Sequence, residues 1–286
     1  MKRFASCTLF HGSTILRQAS SLRPFTSLHP SPEILFSDNH LLVVNKPPGY
    51  LSVPNLRPSP KCLLSHLKRL KLGGGRNNDF LLPLHRLDQP CSGVLMFGKT
   101  SKAASRITKL WKKKLVQKEY QAVVSSSRVV ELANKSVSIE REWHNLKGVM
   151  QSRKDKSQRS VRIFPFSTSF IQKEELSSRN ISIDWREIES IPKNDPSYTT
   201  LQVRTNEGAR HMIRAILSQV GNCPIEGDLR YNATATVLPD KSVALHASRI
   251  LLDNSLQLGS LKTYEFEAQL PPTWEHYFGI VQPKVE

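Results

Sequence analysis

His85-Arg86-Leu87-Asp88 sets a carboxylate two residues from an arginine, between two short apolar runs. Phe80-Leu81-Leu82-Pro83-Leu84 precedes it and Val94-Leu95-Met96-Phe97 follows it. Short apolar runs bounded by turn formers read as buried strands. Pro90, Ser92 and Gly93 are the turn formers between them. An ionised Asp between two core strands must be paired, hydrogen-bonded or functional, because desolvating it alone is too unfavourable. Asp88 is therefore a candidate catalytic carboxylate. By local pattern alone a turn cap is the commoner role, since Asp closes turns by accepting backbone N–H groups.

Other segments must position such a carboxylate. Glu33–Phe36 and Leu41–Asn45 read as two strands joined by Ser37-Asp38-Asn39-His40, and Lys46-Pro47-Pro48-Gly49 then breaks the chain. Leu63, Leu64, Leu67 and Leu70 recur at helical spacing over 62–71, with Gly73–Gly75 as the stop. A second helix is expected over 101–114, where Ala104, Ile107 and Leu110 or Trp111 make the apolar stripe. Lys102, Arg106, Lys109, Lys112, Lys113 and Lys114 fill its remaining faces, and the stretch carries no acid. Such a run is either a solvated face or a surface that meets phosphates. Leu115–Val124 and Thr199–Thr205 read as strands, Gly208–Gly221 as a helix closed by Gly, and Ala244–Ser248 and Tyr264–Ala268 as further strands. Residues 125–197 carry the weakest signal, with an exposed basic loop expected at Arg153–Ser160 and an insertion at Ser167–Asn180.

Together the motifs resemble those of the RluA-type RNA pseudouridine synthases. The match covers residues 33 to 278 in five ordered pieces. These are the hairpin with Lys46-Pro47-Pro48-Gly49, the Asp88 run ending in Lys99, and Lys118-Glu119-Tyr120. The fourth is Gly208 to Arg214 with Pro224-Ile225-Glu226-Gly227-Asp228 and Tyr231, and the fifth Leu245-His246-Ala247. Cys91 stands where the family usually has Thr, and Ala209, Arg210 and Met212 also depart from its text. The resemblance implies an α+β protein of the pseudouridine synthase fold, with a mixed, largely antiparallel sheet, flanking helices and a central catalytic cleft. It implies isomerisation of uridine in rRNA or tRNA to pseudouridine, with no cofactor and no metal. Asp88 would be the essential carboxylate, acting as nucleophile on sugar or base, or removing a sugar proton. Arg214 would pair with it and Tyr120 would lie against the uracil. Arg86 would fill the gap left by the flipped nucleotide. Lys112, Lys113, Lys114, Arg210 and Leu245 would contact the RNA, Arg210 supplying the cation one position late. His85 and His211 are expected to serve structure. A catalytically silent RNA-binding or assembly protein on the same fold is the alternative that Asp88, Tyr120 and Arg214 speak against.

Composition agrees with an RNA partner. The chain of 286 residues carries 41 Lys and Arg against 24 Asp and Glu, a net charge of +17. Such a surplus points to a polyanion. Residues 1–32 hold Lys2, Arg3, Arg17 and Arg23, six serines and no acid; without those four cations the surplus is still +13. Arg-rich, Ser-rich and acid-free is the composition of an organelle transit peptide, mitochondrial ahead of chloroplast, or of a plain basic tail. Residues 33–286 are expected to form the catalytic domain, acting as a monomer. Cys7, Cys62, Cys91 and Cys223 show no metal-ligand spacing, which reads as free thiols. No run reaches the roughly 18 apolar residues of a membrane span, so no membrane partner is expected.

Overall fold

The computed structural model describes residues 31–54, 61–75, 79–140, 142–152, 161–166, 177–188, 197–253 and 263–280. The tail and the basic loop at 153–160 lie outside these, as does most of the expected insertion. The elements run β1 (Glu33–Ser37), β2 (Leu41–Lys46), α1 (Leu63–Arg69), β3 (Leu82–Pro83), β4 (Ser92–Gly98), α2 (Ser101–Lys112) and β5 (Val116–Ser125). Then follow α3 (Ser126–Asn134), β6 (Val137–Glu140), β7 (Trp143–Ser152), β8 (Arg162–Pro165), β9 (Ser177–Ile188), β10 (Tyr198–Thr205) and α4 (Met212–Gln219). A short 3-10 turn (Leu229–Tyr231), β11 (Leu245–Asp253), β12 (Thr263–Glu267) and α5 (Pro272–Phe278) complete the order.

The twelve described strands form one sheet in the order β1-β2-β4-β11-β5-β10-β9-β7-β6, with β12 on β11, β3 on β4 and β8 on β7. Only β4 and β11 pair in parallel, at His246–Ser92 and Ala247–Gly93. The sheet is thus mixed and largely antiparallel, as expected. Among the described residues no helix is long and apolar enough to cross a membrane.

The continuous apolar runs of β2 and β4 follow from burial of both faces. Leu41, Val43, Val94 and Met96 pack on Ile107 and Leu110 of α2. Leu42, Val44, Leu95 and Phe97 pack on Leu63 and Leu67 of α1. Burying side chains of this size contributes about 1.5–3 kcal/mol each. The third core lies under β5, β10, β9, α4 and α5, and holds Trp185, Leu201, Val203, Ile216 and Trp274. Thr100 caps α2 by accepting the N–H of Ala103 at 3.2 Å. Two residues beyond the end of both α1 and α2 stands a lysine with positive φ, Lys71 at 54° and Lys114 at 58°. In each, the last carbonyls are closed from beyond the helix: Lys71 N–H to Lys68 and Leu72 N–H to Leu67, then Lys114 N–H to Trp111 and Leu115 N–H to Leu110. Gly73–Gly75 is therefore not the stop of α1. Gly74 is needed where the Lys99 carbonyl comes within 2.0 Å of where a Cβ would stand.

Four local expectations are corrected. Ser92 and Gly93 belong to β4, and the turn is Asp88–Cys91, closed by the Cys91 N–H on the Asp88 carbonyl at 3.1 Å. Gly93, at φ 113°, lets the Ala247 backbone approach to 2.3 Å of a would-be Cβ, which makes the parallel pairing possible. The strand expected over Phe80–Leu84 shrinks to Leu82–Pro83: Leu84 N–H still donates to the Met96 carbonyl at 3.0 Å, but the Met96 N–H that would continue the ladder goes to His85 Nε2 at 3.1 Å. The helix expected from Gly208 begins only at Met212, since His211 is left-handed. Residues 125–197 hold four strands and α3 rather than an undefined stretch.

Two histidines are locked neutral in this framework. His246 donates from Nε2 to the Ala268 carbonyl at 3.2 Å and accepts at Nδ1 from the Ser92 hydroxyl at 2.9 Å. His85 accepts the Met96 N–H at Nε2 and stacks on Trp111, with ring centroids 5.0 Å apart. Burial lowers their pKa values to about 4 and about 3; the charge of Lys118 adds to the effect at His85. The unfolded chain takes up protons as pH drops through about 6.5, and the folded chain does not until near 4. Stability should therefore fall by roughly 3–4 kcal/mol between pH 7 and pH 5. Urea unfolding at the two pH values checks this, and a flat profile would contradict it.

Candidate active site

Asp88 sits in the loop between β3 and β4, and that loop is latched to the segment after β2. Leu87 exchanges two hydrogen bonds with the Ser52 hydroxyl, at 2.7 and 3.0 Å. Gly49 N–H donates to the Gln89 carbonyl at 2.8 Å, and the Gln89 side-chain amide returns to the Gly49 carbonyl at 3.0 Å. Beneath them the fully buried Lys46 ammonium donates to the carbonyls of Pro47, Tyr50 and Gln89, at 3.0, 3.0 and 3.3 Å. Three acceptors match its three protons. Burial lowers its pKa to about 8, against the opposing charge of Asp88. Lys46 thus fastens the Asp88 loop from below, a role its place at the end of an apolar strand did not disclose.

Arg214, on the first turn of α4, meets Asp88 across 126 residues of sequence: Nη1 donates to Asp88 Oδ2 at 3.0 Å. The rest of its fork is taken by Asp228, with Nε to Oδ2 at 2.6 Å and Nη2 to Oδ1 at 2.7 Å. Asp228 is 1% exposed and Arg214 3%. Burial works to lower the Arg214 pKa, but the Asp228 hydrogen bond and the charges of Asp228 and Asp88 outweigh it and push it up. The guanidinium carbon also lies 5.3 Å from the centre of the Tyr231 ring. A buried guanidinium with five donors is satisfied by this planar, bidentate geometry in a way that a lysine would not be.

Above this pair opens a cleft of about 290 Å³. It is near the lower end of the usual range for ligand pockets, roughly 300–1,000 Å³. Asp88, Tyr120, Arg214, Arg86, Arg210 and Leu245 all line it. Arg86 and Arg210 are exposed at its mouth, and Leu245 is buried at its floor. Burial pushes the Tyr120 phenol up, with the charge of Asp88 adding to it. Cys91, in the position where Thr was expected, is buried and its thiol is pushed up to about 12, chiefly by burial, which leaves it protonated.

Lys112, Lys113 and Lys114 are not in the cleft. They follow Trp111, which lines it, and stand exposed outside. Nor is the end of this run wholly without an acid: Lys114 lies 3.7 Å from Glu207, brought in by the loop after β10. His211, expected to serve structure alone, has Nε2 3.6 Å from Asp88 Oδ1. Asp228 was visible as part of a motif but carried no assigned role, because a lone Asp after Gly reads as a turn former. Lys118 also lines the cleft; it donates to the Glu207 carbonyl and burial lowers its pKa to about 8.

Residues 40–219, well over half of the chain, match the family profile described as RNA pseudouridylate synthase. The chain belongs to that family. Its relatives include the dual-specificity RNA pseudouridine synthase RluA of Haemophilus influenzae, 26% identical over 229 residues, 80% of this chain and 90% of the relative. The 21S rRNA pseudouridine(2819) synthase of Saccharomyces cerevisiae is 26% identical over 250 residues, 81% of this chain and 83% of that one. The structure of human RNA pseudouridylate synthase domain containing 4 superposes with a TM-score of 0.62 at 18% identity, over 88% of this chain and 95% of that one. This likeness shows the fold, that of a pseudouridine synthase domain. The chain is an isomerase of the RluA type that forms pseudouridine in RNA.

Proposed function

We propose that Asp88 is the carboxylate that meets the reacting nucleoside in this synthase. The observation that carries this reading is the Arg214 fork. It joins Asp88 to the buried Asp228 at the base of a cleft that also holds Tyr120 and Arg86. Because Asp228 takes two of the three bonds, Arg214 orients Asp88 through a single contact, at Oδ2. A target uridine must leave its helix to enter so small a space, at a cost of a few kcal/mol. Tyr120 offers a ring beside the flipped base, and Arg86, exposed at the mouth, is placed to stack in the vacated position. Arg210 and Leu245 contact the nucleotide. The isomerisation is redox-neutral and every heavy atom of the product comes from the substrate uridine; C5 loses a proton to solvent and N1 gains one, so no co-substrate is called for.

The target is an rRNA or tRNA, and the Arg-rich, Ser-rich, acid-free first 32 residues support a mitochondrial address. Pseudouridine mapping in mitochondrial RNA of cells lacking the protein tests both parts. The wild-type chain should restore every missing site and Asp88→Asn none, while the variant binds the same RNA within a few-fold of wild type. Restoration by Asp88→Asn would sink the catalytic assignment, and missing sites confined to cytosolic RNA would sink the address.

The exposed cations of α2 extend the RNA surface away from the cleft. Replacing Lys112, Lys113 and Lys114 together by Gln should flatten the dependence of log affinity on log salt. Each lost phosphate contact should lower the slope by about 0.7–0.9. An unchanged slope would make this helix end a solvated face.

A further inference from the structure

His211 makes none of the close ion pairs of the site, yet it faces their central carboxylate. Its ring is buried, with Nε2 3.6 Å from Asp88 Oδ1 and Nδ1 2.9 Å from the Tyr231 hydroxyl. That hydroxyl already accepts the Val161 N–H at 3.0 Å. A phenol has one proton to give. With the oxygen accepting from Val161, the arrangement that uses the phenol proton sends it to Nδ1 of His211. Nδ1 is then bare, and the single proton of the neutral imidazole sits on Nε2, on the side of Asp88. The ring edge is further fixed by a T-shaped contact with Tyr231, at 5.7 Å and 87°.

Two further observations agree. The His211 backbone is left-handed, φ 55° and ψ 18°, at the entry to α4. The conformation is uncommon for a residue with a Cβ and is kept where surrounding contacts over-determine it. The charges that face the ring are those of Asp88, Arg214, Arg210 and Arg230. Burial, aided by the three arginines against Asp88, lowers its pKa to about 4. The ring is neutral at physiological pH.

We propose that His211 is a positioning residue for Asp88: a neutral N–H, set in its tautomer by Tyr231, that orients Oδ1 while Arg214 holds Oδ2. A second cation at Oδ1 would engage both oxygens in ion pairs and blunt the carboxylate. A neutral dipole orients it without that loss. The 3.6 Å separation is wider than a hydrogen bond and closes when substrate enters, as catalytic contacts do on passing from the free to the bound state. This inference rests on Asp88 being the reacting carboxylate.

The test has one arm that needs no turnover. Two-bond nitrogen–proton correlation spectra of the histidine-labelled full chain at pH 7, assigned by the signal absent in His211→Gln, should show His211 protonated at Nε2 only. Tyr231→Phe should mix the two tautomers. Protonation at Nδ1, or at both nitrogens, in the wild-type chain would overturn the proposal. The second arm measures tritium release from uridine-labelled RNA of cells lacking the protein. His211→Gln keeps an N–H near the place of Nε2, and His211→Leu does not, while both bear the same backbone strain. The Leu variant should lose about 10²-fold in kcat at unchanged KM, and Gln should stay within about tenfold of wild type. Equal losses in folded Gln and Leu variants would overturn the proposal. The spectral arm fails or succeeds independently of Asp88→Asn, which alone reports on the carboxylate's catalytic role.

Discussion

One buried guanidinium holds the site together. Arg214 reaches from α4 to a turn on one side and to the Asp88 loop on the other, and it is nearly without solvent. Buried charges survive only when their geometry and hydrogen bonds are complete, and removal of one partner typically costs about 3–5 kcal/mol. Every larger feature serves that completeness. β4 and β11 must lie in parallel contact at Gly93 to bring the two halves of the cleft to one level. The Lys46 ammonium and the Ser52 hydroxyl fasten the loop that carries Asp88. The turn at Gly227-Asp228 presents the second carboxylate in the plane that the fork requires.

The electrostatic outcome is a division of labour between two carboxylates. Asp228 is sealed and doubly bonded, and it takes two of the guanidinium's three carboxylate hydrogen bonds. Asp88, half-buried and singly bonded to Arg214, remains open toward the cavity. Chemically similar groups thus acquire different tasks from exposure and bonding alone, as expected where an active site tunes like residues apart. The surrounding titratable groups follow the same logic: burial keeps Cys91 and Tyr120 protonated and His211 uncharged, which limits the charges lining the cleft.

Much of this was legible in the residues, though unevenly. The strands β2 and β4 and the helix α2 follow from apolar runs and a 3.6-residue stripe. Asp88 drew attention through its setting between apolar runs, but its partner lies 126 residues away, and no local pattern links them. Only the ordered motifs did so. Asp228 and Lys46 stayed without roles because a turn Asp and a strand-end Lys look ordinary until burial is known. β9 does alternate, with Ile181, Ile183 and Trp185 facing the core, yet polar neighbours dilute that signal. The seven residues of α5 are too few for a period, and their anchors Trp274 and Phe278 declare themselves only by packing. The lysines after Trp111 were expected on a helix over 101–114; α2 ends at Lys112, and all three lie outside the cleft, since a helix end bordering a site need not point into it.

The account stands on geometry rather than on the bare presence of a cation. Arg214→Lys keeps the charge and discards the fork, so it measures that claim directly. Pseudouridine formation under single-turnover conditions, on RNA from cells lacking the protein, should fall as far in Arg214→Lys as in Arg214→Met, with both variants folded. Near wild-type turnover by Arg214→Lys would show that any positive charge beside Asp88 suffices, and would contradict it.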